Sequence, residues 1–354
     1  MNILFVSGGS AGHLAPLIAV EKAVKAMKPK TKTFFLCSDK PSDADYLSHE
    51  GVPFSTLPIP KKNIFFPIQY VRNLRGAKKV LQEFKPDVVF SKGGAVSVPV
   101  CKAAYKAGIP VVIHESDSVM GKANAYVAKF ASAICLGFSP SDDQLMFGTK
   151  PVVTGNPIRP DIAKGSKKRG LELTHFTGKH PVLLVLGGSQ GATALNDAII
   201  KNIDELLRIC DIVHLTGKGK NGAKKRAGYF PLAFAHEELK DLYAIADLAL
   251  CRAGAGTISE LVANEIPMIL CPIRGLANDH QYENAVRVER SEAGIIISQD
   301  MLNRDLVSVV QSLFTDRKKL LALQKKAAEL QQEDPARRVA KILFECLAPE
   351  KKND

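Results

Sequence analysis

Short unbroken apolar runs alternate along this chain with longer stretches whose apolar positions recur at helical spacing. Ile3–Val6, Thr33–Cys37, Asp87–Ser91, Val111–His114 and Ala133–Leu136 are of the first kind. Runs this short, bounded by turn residues, read as parallel strands buried on both faces. Leu17–Met27, Val96–Ala107 and Lys122–Phe130 lie between them and carry the helical period. Strand and helix in alternation predict a doubly wound parallel sheet, because a parallel crossover needs a helix to span it.

The pattern stops at Thr154-Gly-Asn-Pro-Ile-Arg-Pro160, which is dense in turn formers, and Lys164–Gly170 reads as a basic stretch without structure. It then restarts with Val182–Leu186, Asp211–Leu215, Leu248–Cys251 and Met268–Cys271 as strands and helices between them. Two α/β domains are expected, residues 1–156 and 157–334, each opening strand, glycine loop, helix. A charged helical tail runs from Asp316 to about Leu347, and its last helix, about 335–354, can pack back on the first domain.

With 354 residues, 46% apolar and 24% charged, the chain can bury two ordinary cores. The net charge of +12 changes the picture because it is uneven. Residues 1–160 hold 20 Lys and Arg against 11 Asp and Glu, while the rest hold 28 against 25. A basic first half calls for an anionic partner: a phosphate, a nucleic acid or an acidic membrane surface. The seven cysteines are scattered without a CxxC pair, which reads as free buried thiols in a reducing compartment. The N-terminal stretch lacks the basic start of a signal peptide, and no apolar run approaches the roughly 20 residues that span a bilayer. The expectation is a cytoplasmic protein that meets a membrane only from its surface.

Three glycine loops carry the candidate chemistry. Gly8-Gly9-Ser10-Ala11-Gly12-His13 follows the first strand, where a helix start offers free N–H groups to a diphosphate or sugar. It lacks the Lys-Ser/Thr of a Walker loop and the GxGxxG spacing of a dinucleotide loop. A tight strand-to-helix turn would need these glycines anyway. His13, at the helix start where the dipole disfavours its charged form, suits a general base; an ordinary solvent-exposed residue is the plainer alternative. Gly187-Gly188-Ser189-Gln190-Gly191 repeats the arrangement in the second domain. The third loop, Arg252-Ala-Gly-Ala-Gly256, leads into a helix expected to start near Thr257 with Glu260 in its first turn. Glu260 suits two ribose hydroxyls, or else forms a capping box with Thr257. Asn278-Asp-His-Gln-Tyr-Glu-Asn284 is a polar cluster suited to sugar hydroxyls or to a helix start. Asp43-Ala-Asp45 is read as helix capping far from any glycine loop rather than a metal site.

Gly8–Pro16, Ser91–Ser97, Ile113–Glu115, Thr154–Arg159, Gly187–Ala192, Cys251–Glu260 and Asp279–Asn284 together resemble the MurG-type enzymes of glycosyltransferase family 28. Those enzymes add N-acetylglucosamine to lipid I and make lipid II for peptidoglycan. The resemblance covers nearly the whole chain. It implies a GT-B fold, two Rossmann-like domains facing a cleft, with the acceptor on the first and UDP-GlcNAc mainly on the second. It implies no cofactor and no metal. Carried over, Ser10, Ala11 and Gly12 meet the donor sugar-diphosphate, and Arg159, Ser189, Ala255, Gly256, Thr257, Ile258, Ser259, Glu260 and Gln281 line the UDP-GlcNAc site. His236 lies near the uracil edge. His13 is the base for the acceptor hydroxyl, with Glu115 the alternative. Two departures stand out: Ser10-Ala11 replaces the usual Thr-Gly, and Asp117, carried over as a UDP-GlcNAc contact, stands where Asn is common, with Asn124 a second polar UDP-GlcNAc candidate at that rim.

The implied reaction is one in-line displacement that inverts the anomeric centre to a β-1,4 link. Residues 51–82 hold six basic residues, Lys61, Lys62, Arg72, Arg75, Lys78 and Lys79, and no acidic one. Ile64, Phe65, Phe66, Pro67, Ile68 and Tyr70 are interleaved. That mixture suits an anionic inner-membrane surface, or a solvated loop; no nucleic-acid motif accompanies it. The resemblance also leaves room for cell-wall synthesis proteins as partners. Three alternatives stay open: another GT-B glycolipid glycosyltransferase, a UDP-GlcNAc 2-epimerase, and a silent nucleotide-sugar binder.

Overall fold

A computed structural model describes residues 1–8, 11–60, 66–139, 149–188, 191–217, 219–220, 224–275 and 279–347, without the side chains of Ala11 and Phe66. The chain divides into two compact units, Met1–Arg159 with Gln332–Asp354, and Pro160–Gln331.

The first unit runs β1 (Asn2–Val6), α1 (Ala11–Met27), β2 (Lys32–Ser38), α2 (Pro41–His49), β3 (Phe54–Leu57), α3 (Phe66–Phe84), β4 (Val88–Ser91), α4 (Ser97–Lys106), β5 (Val111–Glu115), α5 (Lys122–Ala128), β6 (Ala133–Leu136) and β7 (Val152–Val153). Its seven strands are all parallel, in the order β3-β2-β1-β4-β5-β6-β7. The unbroken apolar runs feed two cores at once because successive side chains point to opposite faces. Leu4, Val6, Val89 and Ile113 pack with Val100 of α4 and Val127 of α5. Ile3, Phe5, Phe35, Phe90 and Val112 pack with Leu14, Leu17 and Val24 of α1. On that second face Phe5 stacks on Phe35 at 4.9 Å and meets Phe90 edge-on at 5.9 Å.

The second unit runs α6 (Lys167–Thr174), β8 (Val182–Leu186), α7 (Thr193–Lys201), α8 (Ile203–Leu206), β9 (Asp211–Leu215), β10 (Tyr229–Leu232), α9 (Leu239–Tyr243), β11 (Leu248–Cys251), α10 (Ala255–Ala263), β12 (Met268–Leu270), α11 (His280–Arg290), β13 (Gly294–Ile296), α12 (Leu302–Thr315) and α13 (Arg317–Glu329). Its strands are again all parallel, ordered β10-β9-β8-β11-β12-β13. The stretch read as structureless, Lys164–Gly170, holds the start of a helix. Ser166 caps α6 by accepting from Arg169 N, and the Arg169 guanidinium grips Asp241 with two bonds of 2.9 Å.

The tail is two helices, α13 and a last one that begins at Pro335. Asp334 sits in the left-handed region at φ 38°, accepts from Arg337 N, and is followed by Pro335 at the first position of α14 (Pro335–Glu345). A left-handed residue and a proline end one helix and start another. Val339, Ala340 and Leu343 of α14 join the α1 face of the first unit's core. Six of the seven cysteines are buried and all seven are free thiols, with Cys346 half-buried. Among the described residues no helix is long and apolar enough to cross a membrane.

Candidate functional site

Open parallel sheets bind ligands beyond the carboxyl ends of their strands, where the strand order reverses. In the first unit the reversal lies between β1 and β4. The loops after β1, β4 and β5 are interlocked there. Gly94, at φ +90°, lies so close to the first glycine loop that a Cβ would stand 2.5 Å from Gly8 O. Gly93, at φ +84°, lies against Asn124, whose amide oxygen a Cβ would approach to 2.9 Å. Gly12 and His13 are exposed in the first turn of α1, which begins well before Leu17 and contains Pro16.

Beneath these loops lies a buried polar network. Lys92 follows β4 and is 5% exposed. Its Nζ meets His114 Nδ1 at 2.6 Å and also Ser116 Oγ. His114 Nε2 meets the Gly155 carbonyl at 3.0 Å, so the ring donates there and its Nδ1 accepts from the lysine. Burial and the Lys92 charge hold the His114 pKa well below the usual range, so the ring is neutral. Burial brings Lys92 down to about 8, against the pull of Glu115 and Asp117.

Glu115, on the opposite face of the sheet, organises the same loop. Its carboxylate accepts from Asp117 N at 3.1 Å, Gly121 N at 2.9 Å and Asn124 Nδ2 at 2.9 Å. Burial and then Asp117 raise its pKa. Asn124 also donates to His114 O, and its buried Oδ1 has no partner among the described residues. Asn156 Nδ2 donates to Ser116 O, tying the segment after β7 to this loop. Glu115, Asp117 and Asn124 are therefore brought together, with Asp117 half-buried at the rim. Asp43 is buried and accepts from Ser38 Oγ, and Ser38 presses against Gly8. The Asp43 carboxylate thus lies beside the first glycine loop, not far from it, because β2 is the direct neighbour of β1. No metal-ligand cluster is present among the described residues.

In the second unit the order reverses between β8 and β11. Helix α10 starts at Ala255, two residues before the expected Thr257, and Gly254 is its N-cap without a side-chain cap. Its first intrahelical bond is Ile258 N to Gly254 O, so the preceding amides point beyond the helix. Space around Gly254 and Gly256 is open to 4 Å where a Cβ would stand. This is an anion-receptive helix end with room for a ligand. Ala255 and Ile258 are buried, Gly256 is exposed, and Thr257, Ser259 and Glu260 are half-buried. Ser259 Oγ bonds back to Ala255 O. With Thr257 inside the first turn there is no capping box; Glu260 sits in the second turn and accepts from Tyr243 OH at 2.8 Å.

Arg252 anchors the loop before α10. Its guanidinium donates to Cys271 O at 2.8 Å and Gln299 Oε1 at 2.6 Å, joining the ends of β11, β12 and β13, while its Nε is buried without a partner among the described residues. Asn284 of α11 donates to Ala253 O at 3.0 Å. Gln281 accepts from Ile273 N at 3.1 Å. Asp279, left-handed at φ 49°, accepts from Gly275 N, and Arg274 lies over the Tyr282 ring at 3.6 Å. His236 is exposed, packed edge-on to Phe234 at 4.5 Å. Arg159 is half-buried and is the last residue of the first unit before the chain leaves it. Ser10, Ser189, Gln190, Asn278, Lys61, Lys62, Ile64 and Phe65 lie outside the described residues.

Helix α3 supplies a separate surface. Ile68 is 68% and Val71 43% exposed, and Arg72, Arg75, Lys78 and Lys79 are exposed with them. The spacing of Ile68, Val71, Arg72, Arg75 and Lys79 places them on one helix face.

Sequence reasoning did not single out Lys92, Tyr243 or Arg252 as site residues. The available signal for the two cations was the same: a charged side chain directly after a buried strand and directly before a small-residue loop.

Comparison with known proteins adds to this geometry. Residues 3–136 match the glycosyltransferase family 28 N-terminal domain, and residues 182–340 match the family 28 C-terminal domain. A protein of Lachnospira eligens, a UDP-N-acetylglucosamine–N-acetylmuramyl-(pentapeptide) pyrophosphoryl-undecaprenol N-acetylglucosamine transferase, is 35% identical over 93% of this chain and 95% of its own length. A transferase of the same name from Clostridium botulinum is 34% identical over 90% of this chain and 92% of its own. The crystal structure of Acinetobacter baumannii MurG shares the fold, with a TM-score of 0.76 and 24% identity over 98% of this chain and all of that one.

Proposed function

The chain belongs to glycosyltransferase family 28, and on that premise we propose that it transfers N-acetylglucosamine from UDP-GlcNAc to undecaprenyl-diphosphate-linked muramoyl-pentapeptide, lipid I, giving lipid II. The observation that carries this reading is the near full-length likeness to transferases of that name.

The acceptor sugar offers its 4-hydroxyl, and attack on the α-linked donor inverts the anomeric carbon to a β-1,4 link. One proton must leave the hydroxyl and one diphosphate must leave the sugar. His13, exposed in the first turn of α1, is the proposed base. It is preferred to Glu115, whose carboxylate already accepts from Asp117, Gly121 and Asn124. The departing UDP gathers charge that the open N-terminus of α10, at Gly254–Thr257, can stabilise with backbone N–H groups. Ser10, Ala11, Gly12, Arg159, Ser189 and Gln281 complete the proposed donor contacts, Glu260 takes the ribose hydroxyls and His236 lies by the uracil. Asp117 and Asn124 are the proposed UDP-GlcNAc contacts at the rim.

The acceptor's lipid places the enzyme at the cytoplasmic face of the bacterial inner membrane, held peripherally. The exposed Ile68 and Val71 beside Arg72, Arg75, Lys78 and Lys79 support that placement, since an apolar group among cations suits an anionic lipid surface.

The test is UDP release from UDP-GlcNAc with EDTA present, with and without a lipid I analogue. Release that requires the acceptor, survives EDTA and is largely lost in His13→Ala supports the reading. Release without acceptor points to an epimerase instead, and UDP-GlcNAc binding without turnover points to a binding protein.

A further inference from the structure

We propose that Asn196, His214 and Tyr229 are positioning residues: they form a buried hydrogen-bonded relay that holds the Thr216 carbonyl and, together with Lys220, sets the second glycine loop, Gly187–Gly191, for the diphosphate of the nucleotide-sugar donor.

The relay has a single polarity. A backbone carbonyl can only accept, so Asn196 Nδ2 donates to Thr216 O at 2.9 Å. The Asn196 Oδ1 then accepts, and His214 Nε2 donates to it at 3.0 Å. A neutral ring with its proton on Nε2 leaves Nδ1 as an acceptor, which takes the Tyr229 hydroxyl at 2.9 Å. The three side chains come from α7, β9 and β10 and are all buried, so no water competes for these bonds and removing one member orphans the next.

The far end of the relay meets the glycine loop. Gly191, at φ +66°, sits so close to Thr216 that a Cβ would stand 2.4 Å from the Thr216 carbonyl oxygen. Lys220 returns to the same place. Its Nζ donates to Gly191 O at 3.0 Å, and its Cδ lies 3.1 Å from where that Cβ would be. Gly191 N donates in turn to Gly188 O at 2.9 Å, which joins the two ends of the loop. Asn196 N donates to Ala192 O, so the residue that holds Thr216 also begins the helix that the loop runs into. Gly191 is thus pinned by the Thr216 carbonyl, by Lys220 and by its own closure on Gly188. Ser189, the proposed donor contact, falls between the two joined glycines in sequence. Asn196, His214 and Tyr229 are no solvent-facing contacts, so their effect on a donor passes through Thr216 and Gly191.

The choice of ligand rests on the UDP-GlcNAc reading, so the experiment reads the loop and the ligand apart. Full-length Lys220→Met, Tyr229→Phe, Asn196→Leu and the double variant Tyr229→Phe with Asn196→Leu are compared. The readouts are hydrogen exchange at the Gly191 amide, affinity for UDP and for uridine, and donor KM against kcat. Lys220→Met and Asn196→Leu are each expected to speed that exchange, to weaken UDP and to raise donor KM by about ten-fold, with uridine affinity and kcat within about three-fold. Uridine lacks the diphosphate, so a purely structural loss weakens both ligands alike. Tyr229→Phe is expected to speed exchange about three-fold alone and to add nothing in Asn196→Leu, because its effect passes through that residue. Unchanged Gly191 exchange in Lys220→Met or Asn196→Leu overturns the proposal. So do equal losses of UDP and uridine affinity, and so does a Tyr229→Phe effect that persists undiminished beside Asn196→Leu. Should Asn196→Leu fail to fold, Lys220→Met, at a half-buried residue, and Tyr229→Phe decide by the same exchange and affinity readouts. An unaltered protein that does not bind UDP removes the donor reading and with it the ligand named here, while Gly191 exchange, which needs no ligand, still supports or overturns the relay.

Discussion

Tyr243, 2% exposed at the end of α9, donates its phenolic hydrogen to the Glu260 carboxylate in the second turn of α10. The bond fixes the side chain proposed to receive the ribose. Tyr243→Phe removes the donor and leaves the ring. A hydrogen bond to a charged acceptor contributes about 1–2 kcal/mol. The KM for UDP-GlcNAc is expected to rise about five- to thirty-fold with kcat nearly unchanged. Titration of UDP release against UDP-GlcNAc reads both.

Gly94→Ala places a Cβ against Gly8 O at a residue held at φ +90°. Both the backbone conformation and the contact oppose it, at a cost of about 2 kcal/mol or more. The first glycine loop must shift, so kcat falls far more than the affinity for UDP, most of whose proposed contacts lie in the other unit. Isothermal titration with UDP beside turnover distinguishes this from general unfolding.

His214 gives the second unit an acid-sensitive point. It is fully buried between Tyr229 OH at 2.9 Å and Asn196 Oδ1 at 3.0 Å, and burial lowers its pKa to about 4. The unfolded residue titrates near 6.5. Between these values the unfolded chain takes up a proton that the folded chain refuses, so stability falls as pH drops from 6.5 toward 4. The loss is on the order of 2–3 kcal/mol. Urea unfolding at a series of pH values measures it, and in His214→Gln the slope over that window is reduced.

Lys92 predicts an opposite, alkaline effect on activity. Its folded pKa of about 8 lies below its ordinary 10.5. Above pH 8 the ammonium that holds His114 Nδ1 and Ser116 Oγ loses its charge, and acceptor kcat/KM declines. Folding stability does not decline from this group, because from pH 8 to 10.5 the unfolded chain binds the proton more readily and stability rises with pH. A pH–rate profile beside an unfolding series shows the two trends separating.

The α3 surface predicts salt-sensitive binding to vesicles. Each cation near an anionic surface contributes about 1 kcal/mol. Arg72→Glu with Arg75→Glu is expected to weaken binding to phosphatidylglycerol vesicles by roughly thirty-fold or more, with binding to neutral vesicles changed little. Co-sedimentation at two salt concentrations reads the effect.

The sheets were legible in the sequence up to their edges. The strands read from apolar runs are β1, β2, β4, β5, β6, β8, β9, β11 and β12. The strands not read are β3, β7, β10 and β13, which are the outer strands of the two sheets. Interior strands are covered on both faces and hold a run of apolar residues, broken by buried polar groups such as His114 and His214, whereas Phe-Ser-Thr-Leu of β3 or the two-residue β7 is only partly covered and carries no such run. The glycine loops were legible because their residue type is dictated locally. Lys92, Tyr243 and Arg252 were not, because their partners His114, Glu260 and Gln299 stand 22, 17 and 47 residues away and only the parallel register brings them together.

The return of α14 to α1 sets an order on biosynthesis. Pro160–Gln331 is continuous in sequence and can close its own core once it has left the ribosome. The unit translated first cannot do so. Its α1 face, with Leu14, Leu17 and Val24, waits for Val339 and Leu343 from the other end of the chain. The later-made unit is thus the one able to mature first, and a nascent chain stalled before α14 would present an uncovered apolar face to chaperones.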